Sequence, residues 1–524
     1  MKSSKIIVLI LWAALLAGCA GGGNDLRPVR VVQVEKVTVE PPEAEAVVED
    51  SAASAPLAVD WEDREVFRAG LIADEQTVLD DLNGASVYHI DLDIPDDLEV
   101  VQGYLEVQYT NREDVALEVV YFRLYPNVSG GKITVSDVTV DGETVEADEQ
   151  YGKSALRVPM PAPLGVGEIA LISMDFVVEL PREMGGNYGL FGFFDNVMVL
   201  DEFLPTIAVY DDEGWNVEVP PPAGDWTHYD ASFYVVTVTA PKDLTLAASG
   251  YEVARSEAGD HQVLTIAAGP ARTIYIAGSD DFIKLSQQVG ETTVNSYALS
   301  QWTDGAAAAL EIASNSLQVF SERFGPYPYT EFDVVSTPML ALGIEYPGIT
   351  GITLLEYDLD SVLYGLPASA MMESTVAHEV GHQWFYNAVG NDQVDEPWLD
   401  EAVVQYITSL YYLDQYGESA AESYRQGGWY GRWDRADQAD IPIGLPSGAY
   451  EGGAYVPAVY GRGPVFVQTL AEEMGQEDFD AFLRAYYQAN KWGIADGDVF
   501  RSMAEAQCGC DLEQLFVDWV YAKE

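Results

Sequence analysis

Residues 378–401 read HEVGHQWFYNAVGNDQVDEPWLDE and contain the strongest functional pattern of the chain. His378 and His382 are four residues apart, so on an α-helix their imidazoles project from one face and can bind the same metal ion. Zinc accepts neutral imidazole, and a catalytic zinc site has three protein ligands with the fourth position left for water. Glu379 lies beside a ligand, where its carboxylate could take a proton from zinc-bound water. The stretch therefore predicts a catalytic zinc helix.

A second helical pattern opens at Trp398 and carries the candidate third ligand. Eighteen residues separate His382 from Glu401, and we assign Glu401 as the remaining ligand of one Zn²⁺ ion. An HExxH match can also arise by chance on the solvated face of an ordinary helix. The chain has only five histidines, and both of those that follow residue 261 lie in the motif. This distribution favours the metal site.

The composition bounds the class of protein. A chain of 524 residues is long enough for two or three domains with at least one sizeable core. It has 85 acidic and 26 basic residues, which largely excludes nucleic acid as a partner because phosphate contacts need clustered Lys and Arg. The acidic excess fits either a salty environment or solubility at a surface, and composition does not separate the two.

The N-terminus predicts where the protein is located. Lys2 and Lys5 precede an apolar run, residues 6–16, which is too short to span a bilayer and is typical of a signal-peptide core. The run ends in Leu-Ala-Gly-Cys at residues 16–19, which resembles the bacterial lipobox. By that resemblance Cys19 is lipidated and anchors the protein in the bacterial cell envelope, outside the cytoplasm. The alternative is a plain signal peptide.

Changes in pattern predict four segments. Residues 1–18 are the lipoprotein signal peptide, and residues 19–60 form a disordered acidic tether, because they are rich in Gly, Pro, Ala and Glu without apolar periodicity. Alternating short strands make residues 61–280 an antiparallel β-sandwich or saddle domain. Residues 281–524 mix strands and helices and form the catalytic domain. The predicted fold class is α+β multidomain.

Finer expectations concern the elements around the motif. We expect the zinc helix to run over about residues 367–389 and the second helix over Trp398–Tyr416. Residues 185–226 read as a long loop region, which is usually functional or disordered and could wall the site. His89 and His228 fall among the strands, so we expect structural roles and assign neither to the metal.

Four local patterns resemble the gluzincin aminopeptidases, typified by membrane alanyl aminopeptidase and the leukotriene epoxide hydrolases. The first is HExxH at residues 378–382, followed after eighteen residues by Glu401. The second, WLDEA at 398–402, is similar to Trp-Leu-Asn-Glu-Gly. The third, LGIEY at 342–346, is similar to Gly-x-Met-Glu-Asn, and the fourth, YGRG at 460–463, to Tyr-x-Lys-Gly. The resemblance implies an N-terminal β domain followed by a thermolysin-like mixed α/β domain.

The resemblance also implies roles for the flanking residues. Glu345 would bind the free α-ammonium of a peptide, with Gly343 beside it, because a carboxylate on a strand edge can hold an ammonium through charge-assisted hydrogen bonds. Tyr460 would donate a hydrogen bond to the oxyanion of the tetrahedral intermediate. Each assignment has a simpler competitor, since Glu345 is one of 85 acidic residues and Tyr460 one of 31 tyrosines. The departures at Leu342 and Tyr346 put neighbouring substrate contacts in doubt.

The sequence thus predicts a lipid-anchored, zinc-dependent aminopeptidase that hydrolyses the N-terminal peptide bond of peptides. One alternative within zinc hydrolases is a thermolysin-like endopeptidase or an epoxide hydrolase. Another, from a different class, is a binding lipoprotein on a peptidase scaffold without activity. The presence of Glu379 together with the three ligands argues against that second alternative, because a binding protein does not need a general base.

Overall fold

The computed structural model describes residues 60–222 and 224–521. The signal peptide, Cys19 and the tether up to residue 59 lie outside the described residues, so their assignments stay predictions. Among the described residues, none of the helices combines the length and the apolar composition that a bilayer span needs.

The first part of the chain is built from strands. In chain order they are β1 (Val87–Asp93), β2 (Val100–Thr110), β3 (Leu117–Arg123), β4 (Lys132–Val140), β5 (Glu143–Thr144), β6 (Asp148–Gln150), β7 (Ala155–Leu164), β8 (Ile169–Glu179), β9 (Gly192–Phe194), β10 (Val197–Leu200), β11 (Thr206–Ile207), β12 (Tyr210–Asp211), β13 (Gly214–Trp215), β14 (Ser232–Pro241), β15 (Thr245–Ala248), β16 (Tyr251–Ala258), β17 (His261–Ala271) and β18 (Ile276–Ser279).

These strands form one large sheet and several smaller ones. The eight-stranded sheet has the order β16-β17-β14-β1-β2-β8-β4-β5, and two four-stranded sheets have the orders β15-β18-β10-β9 and β11-β3-β7-β6. Strand β8 alternates buried and solvent-facing residues along its length, as a strand with one face on a core must. Leu105 and Ile172 of the large sheet share one core with Phe122 and Val158 of a smaller sheet, so sheet packs on sheet.

Among the described strands β1 to β18, the expected antiparallel pairing has one exception. Strand β14 pairs parallel to β1, with Val87 opposite Phe233. A parallel neighbour requires a long connection, and the chain makes it by passing through β2 to β13 before it returns to the large sheet.

The second part of the chain combines a small sheet with most of the helices. Its strands are β19 (Phe282–Val289), β20 (Thr292–Leu299), β21 (Glu331–Thr337), β22 (Gly343–Tyr346), β23 (Ile349–Thr353), β24 (Val362–Leu363) and β25 (Leu366–Pro367). The α-helices of the described chain are α1 (Val78–Asp81), α2 (Thr303–Phe324), α3 (Ala368–Gly381), α4 (Trp398–Tyr416), α5 (Glu418–Arg425), α6 (Gly431–Trp433), α7 (Gly463–Met474), α8 (Gln476–Asn490), α9 (Gly497–Cys508) and α10 (Glu513–Trp519). Two π-helical turns cover Gln426–Tyr430 and Pro457–Arg462.

The five-stranded sheet has the order β19-β20-β21-β23-β22, which leaves β22 at an edge. Helices α2, α3 and α4 share one apolar core, to which Ala313, Val376 and Ile407 contribute. Phe233 of β14 belongs to the same core, so the two parts of the chain pack on each other. The strand-rich part comes first in the chain and the helix-rich part follows it. This order confirms the predicted α+β class.

The predicted extent of the zinc helix is wrong at its C-terminal end. Helix α3 ends at Gly381 rather than near residue 389. Residues 382–389 turn back instead, because the backbone N–H and side-chain amide of Asn387 both donate to the carbonyl of His382, at 2.9 and 3.2 Å, and Tyr386 has a φ of 122°. The second helix occupies Trp398–Tyr416, as predicted.

Residues 185–226 are not the continuous loop that their composition predicts. They contain β9 to β13, of which β10 pairs with β18 and β11 pairs with β3. Each of these strands has only two to four residues, which is too short for a side-chain alternation to be recognised in the sequence. Near the C-terminus, Cys508 and Cys510 form a disulfide.

Candidate metal centre

The start of α4 packs against the end of α3 and brings the three predicted ligands together. The Oε2 atom of Glu401 lies 3.0 Å from Nε2 of His378 and 3.6 Å from Nε2 of His382. The two Nε2 atoms are 3.2 Å apart. The i, i+4 spacing of the histidines places both rings on one face of the chain, and all three side chains are buried. One small volume is thus bounded by two nitrogens and one carboxylate oxygen.

The chemistry of this donor set fits zinc. Two imidazoles and one carboxylate are the ligands of a common catalytic zinc site. Nδ1 of His382 lies 3.2 Å from the carbonyl oxygen of Phe385, a contact that places the ring proton on Nδ1 and turns the Nε2 lone pair towards Glu401. Burial lowers the pKa of His378 to about 4, which keeps that imidazole in the neutral form that a metal requires.

Glu379 follows the first ligand and lies within the same cavity. Ligand atoms of Glu379, Glu345 and His382 all lie within 4.8 Å of one another. Burial raises the pKa of the Glu379 carboxyl well above its usual range, and the charge of Glu345 raises it further. A carboxyl group with such a pKa is suited to accept and return a proton, which is the role that the sequence predicts for Glu379.

Gly343 lies against Glu379. A Cβ at this position would be 2.4 Å from Oε1 of Glu379, a separation that non-bonded atoms do not adopt. The sequence places Gly343 among the substrate-binding residues, whereas the structure shows it in contact with the candidate base. Its lack of a side chain leaves room for that carboxylate.

Glu345 projects from edge strand β22 into the site. Its Oε1 atom accepts a hydrogen bond of 2.8 Å from Nε2 of Gln393, and the side chain is buried. The next residue, Tyr346, stacks on Tyr275 with ring centroids 4.3 Å apart and donates its hydroxyl to Asp201. These contacts fix the backbone next to Glu345, and Gln393 restrains one of the two carboxylate oxygens of Glu345.

Tyr460 lies in the π-helical turn Pro457–Arg462 and donates its hydroxyl to Oε1 of Glu401. The predicted oxyanion donor is therefore within the site and contacts a ligand of the metal centre. Arg462, the counterpart of the lysine in the resembled motif, has a different environment. It is buried and donates to the carbonyls of Ile441, Asp518 and Trp519 at 2.7 to 2.9 Å, so it anchors the C-terminal helix outside the site.

Sequence reasoning missed two further acids of the site. Asp400 accepts from Gln393 at 2.8 Å, and burial followed by the charge of Glu401 raises the pKa of Asp400 to about 7. Asp225 also has a raised pKa, through burial and then the charges of Glu345 and Glu401. Through Asp225 the stretch 185–226 reaches the site. Asp225 belongs to none of the quoted patterns, whereas Asp400 lies inside WLDEA, next to the third ligand, and was given no role there.

The site as a whole is acidic. Carboxylates of Asp225, Glu345, Glu379, Asp400 and Glu401 are close enough to shift one another's pKa values. Buried charges of one sign are costly unless a cation compensates them. The arrangement therefore favours a metal ion together with a second positive group, such as an ammonium.

His89, in β1, and His228, between β13 and β14, have other partners. His89 is buried and stacks on Trp61 with ring centroids 3.9 Å apart. Nδ1 of His228 lies 2.9 Å from Oδ2 of Asp392. Neither belongs to a group of candidate metal ligands within the described residues.

Comparisons with known proteins agree with this geometry. Residues 308–519 match the model of the peptidase family M1 domain. The chain is 23% identical to aminopeptidase 2 of Candida albicans over 410 residues, which cover 74% of this chain and 42% of that protein. It is 22% identical to aminopeptidase M1-B of Oryza sativa subsp. japonica over 408 residues, covering 75% of this chain and 44% of the relative. The chain thus spans less than half the length of these curated relatives.

A solved structure shares the fold. A mutant of the M1 zinc metallopeptidase from Deinococcus radiodurans, bound to a Tyr-Ser-Ala substrate, superposes with a TM-score of 0.64 at 19% sequence identity. The match covers 84% of this chain and 94% of the neighbour.

Proposed function

We propose that this chain, whose residues 308–519 match the model of the peptidase family M1 domain, is a zinc-dependent aminopeptidase that hydrolyses the N-terminal peptide bond of peptides. The observation that carries the proposal is the convergence of His378, His382 and Glu401 on one small volume, with Glu345 and Glu379 beside it. The Deinococcus neighbour bound to Tyr-Ser-Ala supports a peptide as the substrate.

Separate groups bind the metal, transfer the proton and stabilise the oxyanion. Zinc, when bound by His378, His382 and Glu401, supplies a Lewis acid that polarises the scissile carbonyl and lowers the pKa of water. The Glu379 carboxylate takes a proton from the attacking water and then gives it to the leaving amine. The hydroxyl of Tyr460 exchanges its hydrogen bond to Glu401 for one to the developing oxyanion, a contribution of a few kcal/mol.

Glu345 gives the site its preference for chain ends. Its carboxylate accepts a hydrogen bond from the α-ammonium of the substrate, and this bond is strong because both groups are charged. Because β22 and α3 hold Glu345 and the metal ligands at a set separation, only the first peptide bond reaches the metal centre. A blocked N-terminus cannot make this contact.

Metal analysis of the purified protein and a panel of aminoacyl chromogenic substrates test the proposal. We expect one zinc per chain, release of single N-terminal residues, and no cleavage of N-acetylated peptides. Glu379→Gln should retain zinc and lose turnover, and Glu345→Gln should bind free peptides weakly. Equal cleavage of free and N-acetylated peptides would instead indicate an endopeptidase, and unchanged activity of Glu379→Gln would contradict the mechanism.

We further propose that lipid on Cys19 anchors the enzyme in the bacterial cell envelope, outside the cytoplasm. The support is the signal-peptide pattern and the lipobox at residues 16–19. Expression of the full chain with radiolabelled palmitate tests this, with Cys19→Ser as the control. The wild type should carry the label and sediment with membranes. The variant should carry no label and should not sediment with membranes.

A further inference from the structure

Gln393 occupies a central place in the site, although no motif marks it. Its side-chain amide donates one N–H to Oε1 of Glu345 and the other to Oδ2 of Asp400, each at 2.8 Å. Only 1% of Gln393 is exposed to solvent. The amide thus joins edge strand β22 to the first turn of α4, where Asp400 precedes the ligand Glu401.

The orientation of this amide follows from its neighbours. Oε1 of Gln393 accepts a hydrogen bond from the hydroxyl of Thr227, which in turn accepts one from the hydroxyl of Tyr386. If the amide were flipped, its oxygen would face the two carboxylate oxygens that its NH₂ group now binds. Every polar atom of the Gln393 side chain therefore has a complementary partner in the present orientation.

An amide has a specific advantage here over a cationic side chain. Glu345 lies near the carboxylates of Glu379 and Glu401, whose charges oppose it. A lysine or arginine could hold Glu345 in place, but its charge would compensate the negative charge that a substrate ammonium needs. The neutral amide of Gln393 restrains one oxygen of Glu345 and leaves the charge of the carboxylate uncompensated.

We propose that Gln393 is a positioning residue for substrate recognition, whose amide holds the Glu345 carboxylate at a set distance from the metal ligands on α3 and α4. This inference rests on the proposed aminopeptidase function. Thr227 lies between β13 and β14, in the strand-rich part of the chain. The Thr227 hydroxyl binds the amide of Gln393, and that amide binds Glu345. The packing of the strand-rich part on the helical part therefore also influences where the ammonium of a peptide is bound.

The experiment measures binding by the zinc-loaded enzyme. Calorimetric titrations with L-leucinamide and with N-acetyl-L-leucinamide report how strongly the free ammonium contributes. Gln393→Leu removes the amide at similar size, and we expect L-leucinamide to bind roughly ten- to a hundred-fold more weakly, the range for a lost hydrogen bond to a charged group. Binding of the acetylated compound and the zinc content should not change.

Thr227 offers a second, milder test. Thr227→Val keeps the shape of the side chain but removes its hydroxyl. We expect weaker binding of L-leucinamide and unchanged binding of the acetylated compound, with a smaller decrease in affinity than in Gln393→Leu. Thr227→Ser keeps the hydroxyl and should restore the preference. The matched control is Thr292→Val, which removes a buried hydroxyl donating 2.7 Å to the carbonyl of Tyr329, outside the site. If Gln393→Leu does not fold, the Thr227 variants decide the question.

The outcomes separate the two proposals. A wild-type enzyme that contains zinc but shows no preference for the free amine would overturn the proposed function, and the positioning role with it. Two other results would overturn the positioning role alone. One is that Gln393→Leu keeps the wild-type preference for the free amine, and the other is that it loses affinity for both compounds equally.

Discussion

Gly343 and Glu379 are in such close contact that a methyl group on the glycine would lie 2.4 Å from Oε1 of the glutamate. They belong to different elements, edge strand β22 and helix α3, which pack together at the metal centre. The position of the candidate base therefore depends on the absence of one side chain.

Gly343→Ala tests this contact. The added methyl should displace the Glu379 carboxylate by a large fraction of an ångström, and misplacement by about 1 Å costs roughly a hundred-fold in rate. We expect kcat to fall by about that factor with zinc content unchanged, measured by steady-state kinetics and metal analysis. The control is Gly427→Ala, because a Cβ at Gly427 meets no atom within 4 Å. An active Gly343→Ala enzyme would show that the carboxylate has more freedom than the structure indicates.

The two histidines and Glu401 predict that metal binding stabilises the fold. A ligand that binds only the folded state adds about 4 kcal/mol when present at a thousand times its Kd. Removal of zinc with a chelator should therefore lower the Tm by several degrees, and added zinc should restore it. His378→Ala should have the Tm of the zinc-free wild type both with the chelator and with added zinc. His261→Gln, which changes a histidine outside the site, should respond to chelation as the wild type does.

Tyr460→Phe separates catalysis from packing. The phenylalanine keeps the ring near His378 but removes the hydroxyl that donates to Glu401. Loss of one oxyanion donor typically lowers kcat by a factor of about 10² to 10³, and we expect that loss with KM and zinc content nearly unchanged. In Tyr234→Phe, which loses a buried hydroxyl that donates to the carbonyl of Arg272, kcat should stay within about twofold. The same small change in Tyr460→Phe would assign Tyr460 to packing.

The His228 and Asp392 pair predicts a pH-dependent stability. Burial opposes the charge on His228, but Asp392 outweighs it and raises the His228 pKa, whereas His228 lowers the pKa of Asp392 despite that group's burial. The stabilisation is fully present below the usual histidine pKa of about 6.5 and is lost as pH rises through the raised value. It is also lost in acid, as pH falls through the lowered pKa of Asp392.

His228→Gln should accordingly destabilise the protein most in mildly acidic solution. Breaking a buried ion pair costs about 3 kcal/mol or more, so we expect a reduction in Tm of several degrees at pH 5.5 and a smaller one at pH 9. Thermal unfolding monitored by tryptophan fluorescence at both pH values measures this difference. An equal reduction at both would mean that packing, rather than charge, explains the contribution of His228.

Much of the site was visible in the sequence because its patterns are local. Two histidines four residues apart share a face of any helix, so the pairing of His378 with His382 needs no knowledge of the fold. Apolar alternation likewise reveals a strand such as β8, since the side-chain period of a strand is a property of the backbone. The third ligand, Glu401, was assigned from the helical pattern that opens at Trp398, and the resemblance to a family agreed with it.

Other features depend on contacts between distant segments. Helix α3 ends at Gly381 because Asn387 binds back to His382, and no periodicity marks that end. Gln393, Asp225 and Asp400 read in the sequence as unremarkable polar residues, and only the packed structure brings each of them to the metal centre.

The sequence by itself thus determined the α+β class, the helix at Trp398–Tyr416, and the chemical types of the metal-binding side chains, because these follow from short-range backbone geometry. The tertiary structure alone decided which carboxylates share the cavity, why Gly343 has no side chain, and how Gln393 joins β22 to α4. Those relationships arise from the packing of segments up to about 175 residues apart in the sequence, as between Asp225 and Asp400. Local sequence patterns do not predict such packing.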